Sequence, residues 1–283
     1  MKRDFYCLHE GYYEGVLLRL EQFKEACDRK GVNFCAIDSL KADYSSLPQL
    51  GANDLLYNSC RGSEILEDLL LNDKVKTIYK NTPSLRPHNV DTIPFSILAE
   101  KQGIKAPKTI YKINKNDSYL KKYVDELGGF PVILKTRSST RGIGTIKIES
   151  WSSLVSTIDY LTSIGQEFIM RSFIKTKRGY RLIVLGDQVI ASAVFHMQEN
   201  DFRNAAGPGA LIYKPVVIGD ELNKEAVLAS HLANFNFSGV DFLEDQDGNL
   251  FLLEVNNPTG FSALIEVCGV DIPGKLLDYM LKI

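Results

Sequence analysis

Two apolar segments near the C-terminus carry polar side chains where buried strands usually carry aliphatic ones. Asp241 lies in the first segment, and Glu254 and Asn256 lie in the second. Residues 245–249 between them contain Asp-Gly and Gly-Asn steps, which predict the tight reversal of a β-hairpin. A four-residue turn would place Asp241 opposite Glu254, with Asn256 further along the same face. A slip of one residue would send the two carboxylates to opposite faces, so the register is a specific expectation.

Two carboxylates on one buried face repel each other, and each is costly to remove from water. A divalent cation between them relieves both costs. Carboxylate and amide oxygens are ligands that Mg²⁺ accepts while it keeps positions for water and phosphate oxygens, and Mn²⁺ is an alternative with similar preferences. The hairpin therefore predicts a metal site made of Asp241, Glu254 and Asn256. Taken alone, it is equally compatible with a salt-bridged structural pair.

A second set of candidate residues follows a predicted buried strand, residues 130–135. Lys135 ends this strand, and a loop of small, hydroxylated, glycine and basic residues comes directly after it. Such loops let backbone N–H groups approach phosphate oxygens while the basic side chains supply charge. The spacing is not that of a Walker A loop, and a solvated hairpin is the alternative interpretation. The candidate phosphate ligands are Lys135, Arg137, Ser138, Ser139, Arg141, Gly142 and Gly144.

Four further positions are candidates for substrate binding. Arg181 at a strand start and Arg203 in a polar segment could each grip a phosphate or carboxylate through a bidentate pair, or form an ordinary surface ion pair. Arg61 follows a predicted N-terminal strand, where the crevice of an open α/β sheet receives ligands; a plain helix start capped by Ser63 is the alternative. His196 could contact a substrate or act as a base, and a half-buried hairpin histidine is the alternative.

The elements that must position these residues alternate between strands and helices. Helical periodicity over residues 14–30, between short apolar strands at 4–8 and 32–37, predicts a small parallel-sheet domain. Further strands of that domain are expected at 54–57 and 76–79. No G-x-G-x-x-G follows the first strand, so the usual dinucleotide loop of such a domain is missing. Beyond a Pro-containing linker, strands and helices alternate less regularly, which is typical of α+β folds.

Composition limits the function classes. The 283 residues are 45% hydrophobic and 24% charged, as in an ordinary soluble globular protein. A net charge of −2 and a pI near 6.1 argue against a broad nucleic-acid or anionic-membrane surface. The five cysteines are scattered without a C-x-x-C pair, no apolar run is long enough to span a bilayer, and the N-terminus lacks the apolar core of a secretory signal. The sequence therefore predicts a cytoplasmic protein without nucleic-acid or membrane partners.

In this order, the segments resemble the ATP-grasp enzymes, and most closely the RimK-type ligases that add glutamate. The resemblance runs from about residue 81 to the C-terminus and rests on Lys135, the 141–144 loop, the strand with Arg181 and the Asp241–Glu254 hairpin. It implies a mixed α/β and α+β fold, with an N-terminal Rossmann-like (pre-ATP-grasp) parallel sheet and then a two-subdomain ATP-grasp fold with ATP in the cleft. The implied domains are a Rossmann-like domain at 1–85, a central lid subdomain at 86–170 and a C-terminal metal-binding subdomain at 171–283.

The resemblance also implies a role for most of the candidate residues. Lys135 would contact the α- and β-phosphates of ATP, the loop at 137–144 would cover the β- and γ-phosphates, and the hairpin residues would hold Mg²⁺. The segment from Met170 through Arg171 to Phe173 would line the adenine through backbone hydrogen bonds. Catalytic roles would fall to Arg203, Arg181 and Lys135, and substrate contacts to Arg61, His196 and Asn257.

The implied reaction is ATP-dependent carboxylate–amine ligation through an acyl phosphate, with small-molecule or peptide substrates. A protein or peptide tail is a candidate acceptor, and homo-oligomerisation is left open. Two alternatives also stay open: a nucleotide-binding regulatory protein without turnover, and an ATP-grasp enzyme that acts on a non-amino-acid acceptor. The chain departs from the RimK-type pattern at Thr92, where the pattern has a lysine, and at Arg171, where it has an acid.

Overall fold

The N-terminal part of this computed structural model is a parallel sheet covered by helices. The structure describes residues 3–12, 14–81, 92–137, 142–196, 202 and 212–283. Strand β1 (Asp4–His9) is central, with β2 (Asn33–Asp38) on one side and β3 (Leu55–Asn58) on the other. Helix α1 (Glu14–Lys30) buries the stripe made by Val16, Leu20, Phe23 and Cys27, and it ends before Gly31, whose φ of 67° suits a left-handed helix end.

The expected strand at residues 76–79 is wrong as a full element. Lys76 makes a single parallel bridge to Leu55, and Tyr79 instead bridges Phe235 in the C-terminal part of the chain. The segment follows helix α2 (Glu64–Leu70). It leaves the parallel sheet because its aromatic residue packs against the distant Phe235, with ring centroids 5.6 Å apart. Tertiary packing therefore overrides the local strand pattern.

A four-stranded antiparallel sheet forms the central part. Helix α3 (Thr92–Lys101) precedes it. The strands are β4 (Thr109–Ile110), β5 (Val132–Thr136), β6 (Thr145–Ile148) and β7 (Phe168–Ser172), in the spatial order β4-β7-β5-β6. Helices α4 (Asp117–Glu126) and α5 (Trp151–Ser163) cover one face and share a separate small core with Leu134 and Met170. Because side chains alternate along a strand, Ile133, Lys135 and Arg171 lie on the opposite face.

The C-terminal part is a five-stranded antiparallel sheet with three helices. Its strands are β8 (Thr176–Leu185), β9 (Gln188–His196), β10 (Tyr213–Pro215), β11 (Phe237–Asp245) and β12 (Leu250–Asn256), in the order β10-β9-β8-β11-β12. Its helices are α6 (Asp220–Leu232), α7 (Ser262–Cys268) and α8 (Ile272–Lys282). The expected class, a parallel N-terminal sheet followed by antiparallel α+β parts, is confirmed.

One large hydrophobic core joins the N-terminal sheet to the C-terminal sheet. The ring of Phe23 on α1 lies 5.7 Å from that of Phe261, and Tyr57 on β3 lies 5.8 Å from Phe237 on β11. Phe95 of α3 belongs to the same core. The N-terminal and C-terminal sheets therefore share one core, whereas the central sheet packs on a separate one. Strand β7 continues past the expected boundary at residue 170, and the three-domain division stays a prediction.

Within the described part of the chain, no helix combines the length and apolar character that a membrane span requires.

Candidate active site

The hairpin of β11 and β12 places the predicted metal ligands together. Asp241 pairs with Glu254 and Gly239 pairs with Asn256, so the expected register is confirmed. The pairing next to the turn differs from that of a four-residue turn, because the last ladder pair, Glu244 with Leu250, encloses the five residues 245–249, the first of which still belongs to β11. The ladder shifts between Asp241 and Phe242, which is the signature of a β-bulge. The bulge restores the alignment that the longer turn would have lost, and it keeps both carboxylates on one face.

The three side chains converge on one point. The Asn256 amide donates to Asp241 Oδ2 at 3.1 Å and to Glu254 Oε1 at 3.0 Å. The opposite amide orientation would present the oxygen of Asn256 at the same place. Among the described residues no group of three or more His, Cys, Asp or Glu side chains suits a metal ion. Two carboxylates with one amide fit Mg²⁺, which takes its remaining ligands from water and phosphate.

Arg181 on β8 faces Asp241 from the neighbouring strand. Its Nε lies 2.6 Å from Asp241 Oδ1, and both side chains are largely buried. The N–H does not point at the oxygen, so this is an ion pair without a directed hydrogen bond, and Asp241 Oδ1 accepts no hydrogen bond within the part of the chain that is described. A buried carboxylate oxygen that accepts no hydrogen bond is able to serve as a cation ligand. Arg181 Nη1 also contacts Thr259 Oγ1 at 3.3 Å.

Gly239 makes this arrangement possible. A Cβ atom there would overlap Thr259 Oγ1 and lie 2.9 Å from Arg181 Nη1. Any larger residue at this position would therefore push Arg181 away from Asp241. Thr259 was not predicted as a site residue, although its place just after the hairpin, in a Pro-Thr-Gly step, was a usable signal.

The two carboxyl groups titrate differently. Burial raises the pKa of Asp241 to about 7, with Arg181 opposing the rise and Glu254 adding to it. Burial also acts to raise the pKa of Glu254, but Lys135, Asn256 and Arg181 together hold that pKa below its usual range. Glu254 is therefore the ionised partner near neutral pH, and Asp241 is the one that takes up a proton when no metal is bound.

The raised pKa of Asp241 predicts a pH dependence of stability. The folded protein holds the Asp241 proton more tightly than the unfolded chain, whose pKa is near the usual 3.8. Stability from this group is therefore greatest at low pH and is lost as the pH rises to 7. In urea unfolding with EDTA, the free energy of unfolding of the wild type should fall between pH 5 and pH 8. In Asp241→Asn this fall should be smaller by roughly 2 kcal/mol. Asp247→Asn in the exposed turn is the control, and equal pH profiles for wild type and Asp241→Asn would contradict the assignment.

Lys135 connects the two antiparallel sheets. Its Nζ lies 3.9 Å from Glu254 Oε2, although Lys135 is on β5 and Glu254 is on β12. Burial lowers the pKa of Lys135, and the nearby Glu254 opposes this shift. The positive charge of Arg61 also acts to lower the pKa of the Lys135 ammonium. A buried ammonium and two carboxylates thus line one cleft between the sheets.

The glycine loop is described only at its two ends. Arg137 is exposed and pairs with Glu167. Gly142 and Gly144 have φ values of 73° and 79°, which non-glycine residues rarely adopt, so these two positions need glycine. The predicted phosphate ligands Ser138, Ser139 and Arg141 lie outside the described residues, as does Arg203.

The residues predicted to line the adenine take different positions. The Met170 side chain is buried in the central core and points away from the cleft. At Met170, β7 lies between β4 and β5, so its backbone groups are engaged in the ladder, and a backbone contact to a nucleotide would fall to residues from Phe173 onward. The Phe173 ring lies 5.1 Å from Lys147 Nζ and 6.5 Å from the Phe202 ring.

The remaining substrate candidates are not brought to the metal-ligand cluster by any described contact. Asn257 is buried and donates to the Phe237 carbonyl at 2.8 Å, which ties the segment after β12 to the start of β11. His196 ends β9 opposite Arg178 and is exposed.

Ser96 on α3, which sequence reasoning missed, accepts a hydrogen bond from Arg171 Nη2 at 3.0 Å. No local sequence signal marks this serine, because the partner comes from a different element.

Known proteins share both the sequence pattern and the fold. Residues 93–280 match the family described as RimK-like ATP-grasp domain. A probable alpha-L-glutamate ligase of Aliivibrio fischeri (strain MJ11) is 28% identical over 245 residues, covering 85% of this chain and 77% of the relative. The structure of the ATP-grasp ligase PsnB complexed with a minimal precursor has a TM-score of 0.76 at 18% identity and covers 100% of this chain and 99% of that one. PsnB with minimal precursor, Mg and ADP has a TM-score of 0.72 at 19% identity, over 98% and 96% of the two chains.

The structural likeness shows a shared fold, and the family match extends over well over half of the sequence, including the Lys135 strand and the metal-ligand hairpin. The chain therefore belongs to the RimK-like ATP-grasp family and is an ATP-dependent ligase.

Proposed function

We propose that the cleft between the central and C-terminal sheets binds ATP with Mg²⁺ and joins a carboxylate to an amine. The observation that carries this proposal is the convergence of Lys135 with Asp241, Glu254 and Asn256 across the two sheets. A phosphate chain is attracted to the buried ammonium, and a cation is attracted to the carboxylates. The PsnB structure with Mg and ADP supports the choice of these two ligands, and Mn²⁺ is an alternative to Mg²⁺.

The reaction begins when a substrate carboxylate oxygen attacks the γ-phosphorus, and the bond to the β–γ bridging oxygen breaks to release ADP. An amine then attacks the acyl carbon, phosphate leaves, and the amine loses a proton to give an amide. Lys135 neutralises charge on the phosphate chain, with Arg181 and Arg203 as further basic groups. Mg²⁺ held by Asp241, Glu254 and Asn256 would supply charge neutralisation when bound. By resemblance to the family, the loop at 137–144 would exclude water and so protect the acyl phosphate from hydrolysis.

The substrates proposed are an amino acid and a peptide or small-molecule carboxylate. Relatives named as probable alpha-L-glutamate ligases support an amino acid as the amine, and the PsnB complexes with precursor peptides support a peptide acceptor. Arg61 at the end of the N-terminal sheet is the proposed contact for a substrate carboxylate, with His196 and Asn257 as further candidates. The cytoplasmic location, the absence of nucleic-acid and membrane partners, and the oligomeric state stay predictions or open questions.

Calorimetric titration with ATP, in the presence of Mg²⁺ or of EDTA, tests the cleft. Wild type should bind ATP in a Mg²⁺-dependent way, and Asp241→Asn/Glu254→Gln should lose at least about tenfold in affinity because charge-assisted contacts to the metal are lost. Asp247→Asn, in the exposed turn of the same hairpin, should bind like wild type. Absence of binding by the wild type would contradict the proposal.

A second assay separates a ligase from a regulatory nucleotide-binding protein. Glutamate and other amino acids are paired with peptide carboxylates, and ADP release and product mass are measured. Release that needs both an acid and an amine, with a product lighter by one water than their sum, supports ligation. Nucleotide binding without ADP release from any pair would favour the regulatory alternative.

A further inference from the structure

Arg171 is a buried cation on the face of the central sheet that looks into the cleft. Arg171 on β7 pairs with Ile133 on β5, and Lys135 is two positions after Ile133 on β5. Arg171 and Lys135 therefore share one face of the sheet. Diagonal neighbours of this kind lie about 7–8 Å apart at Cα. The Arg171 residue is only 5% exposed, and its charge acts on both Lys135 and Glu254. Two cations therefore stand side by side opposite the metal-ligand hairpin.

The Arg171 guanidinium has little to balance its charge in the described part of the chain. Nη2 donates to the neutral hydroxyl of Ser96, and Nε is buried without a hydrogen bond. No described carboxylate lies within 4.0 Å of the guanidinium as an ion-pair partner. Tyr111, Glu254 and Glu100 act on its charge, and each is engaged elsewhere. The Tyr111 hydroxyl donates to Glu100 at 2.8 Å, and Glu254 contacts Lys135 and Asn256.

A buried charge without a counterion is costly, so proteins rarely keep one for structure alone. Burial lowers the pKa of Arg171, yet a guanidinium stays protonated at all ordinary pH values. The cost is recovered only when an anion arrives. A guanidinium prefers planar, bidentate contact with phosphate or carboxylate. Such an uncompensated cation beside Lys135 indicates a binding contact for an anionic ligand.

We propose that the Arg171 side chain binds the phosphate chain of the nucleotide, on the base-proximal side of the phosphates that Lys135 contacts. This inference rests on the proposed function and adds a side-chain ligand to it. The position follows from the sheet register. Lys135 precedes Thr136, whose N–H donates to the Gly144 carbonyl at the end of the loop proposed to cover the γ-phosphate, and Arg171 lies two residue pairs further along the sheet from that loop. A phosphate chain that extends from the loop past Lys135 reaches Arg171 at its α-phosphate.

Three ligands and two variants test the proposal. Affinities of Mg·ATP, AMP and adenosine are measured by calorimetry or by displacement of a fluorescent nucleotide. Arg171→Met keeps the length of the stem without the charge, and it should weaken Mg·ATP and AMP by roughly 10- to 100-fold while adenosine changes by less than about threefold. Arg171→Lys keeps the charge and should recover most of the lost affinity. Arg178→Met, which removes an exposed arginine paired with Glu244, is the matched control and should bind like wild type.

Thermal unfolding separates a ligand contact from a structural role. Without nucleotide, Arg171→Met should be as stable as wild type or more so, because it removes an uncompensated buried charge, and ATP should raise its Tm less. A lower Tm of Arg171→Met with unchanged nucleotide affinity would overturn the proposal and make Arg171 a structural residue. An equal loss of adenosine affinity would also overturn it, in favour of a contact to the base.

The same titrations keep this inference distinguishable from the proposed function. Suppose that wild type and Arg171→Met bind Mg·ATP equally well and Asp241→Asn/Glu254→Gln does not bind it. The proposed nucleotide cleft is then supported, and the Arg171 assignment is contradicted. If wild type binds no nucleotide, both fall.

Discussion

Replacing Lys135 by methionine is expected to lower the rate of ADP release by about 10²- to 10³-fold. In the proposed function the Lys135 ammonium neutralises charge on the phosphate chain, and the loss of one such preorganised contact typically has this cost. The substitution keeps the apolar stem, so β5 keeps its packing against the core. Single-turnover ADP release is measured with the acid and amine that the substrate screen identifies, together with the dissociation constant of Mg·ATP.

Lys122→Met is the control for this experiment, because Lys122 lies on the exposed surface of α4 with Glu126 as its partner 3.8 Å away. It should leave both rate and affinity unchanged. A Lys135→Met variant that releases ADP at the wild-type rate would show that Lys135 has no part in phosphoryl transfer. Loss of affinity with an unchanged rate at saturating ATP would make it a binding residue only.

The second large effect concerns the Arg181–Asp241 ion pair. Arg181→Met leaves a buried carboxylate without its cation, and removing one partner of a buried pair typically destabilises by about 3–5 kcal/mol. The loss should be large at pH 8 and smaller at pH 5, since Asp241 can take up a proton at the lower pH. Urea unfolding at the two pH values, in EDTA, measures it.

The double variant Arg181→Met/Asp241→Asn separates stability from catalysis. It removes both charges and should recover most of the lost stability, while ADP release stays at least about 10²-fold below wild type because the proposed metal ligand Asp241 is gone. Arg178→Met, which removes an exposed arginine paired with Glu244, should destabilise the protein less than Arg181→Met does. No stability recovery in the double variant would mean that Arg181 stabilises the fold through contacts other than Asp241.

At the candidate site, Arg171 Nε is buried without a hydrogen bond, and Arg181 and Asp241 form an ion pair without a directed hydrogen bond. Buried atoms without a hydrogen bond also occur away from the site, for example at His9 and Tyr57. A fold optimised for stability alone would pair or remove the charged groups at the site. A protein that must hold a cation and a phosphate chain keeps charges whose partners arrive with the ligand. The free energy that such groups cost in the unliganded protein is recovered as binding energy. The Arg171→Met and Asp241→Asn variants both test whether stability of the unliganded protein is given up for ligand affinity.

The sequence by itself determined the local arrangement of the site. The hairpin pattern predicted that Asp241 lies opposite Glu254, although a β-bulge is needed to reach that pairing, and the apolar run of β5 placed Lys135 beside a glycine loop. The order of these motifs also identified the family. These features depend on periods of two or 3.6 residues and on turn chemistry, which act between near neighbours in the chain.

Only the tertiary structure decided which groups meet across elements. The 3.9 Å contact from Lys135 to Glu254 depends on how two separate sheets face each other, and the 2.6 Å contact from Arg181 to Asp241 depends on the pairing of β8 with β11. The orientation of Arg171 toward Ser96 and the loss of the strand at 76–79 were set in the same way. Packing between distant segments has no periodic signature in the sequence, because its energy comes from burial and charge shared by residues that the chain itself keeps far apart.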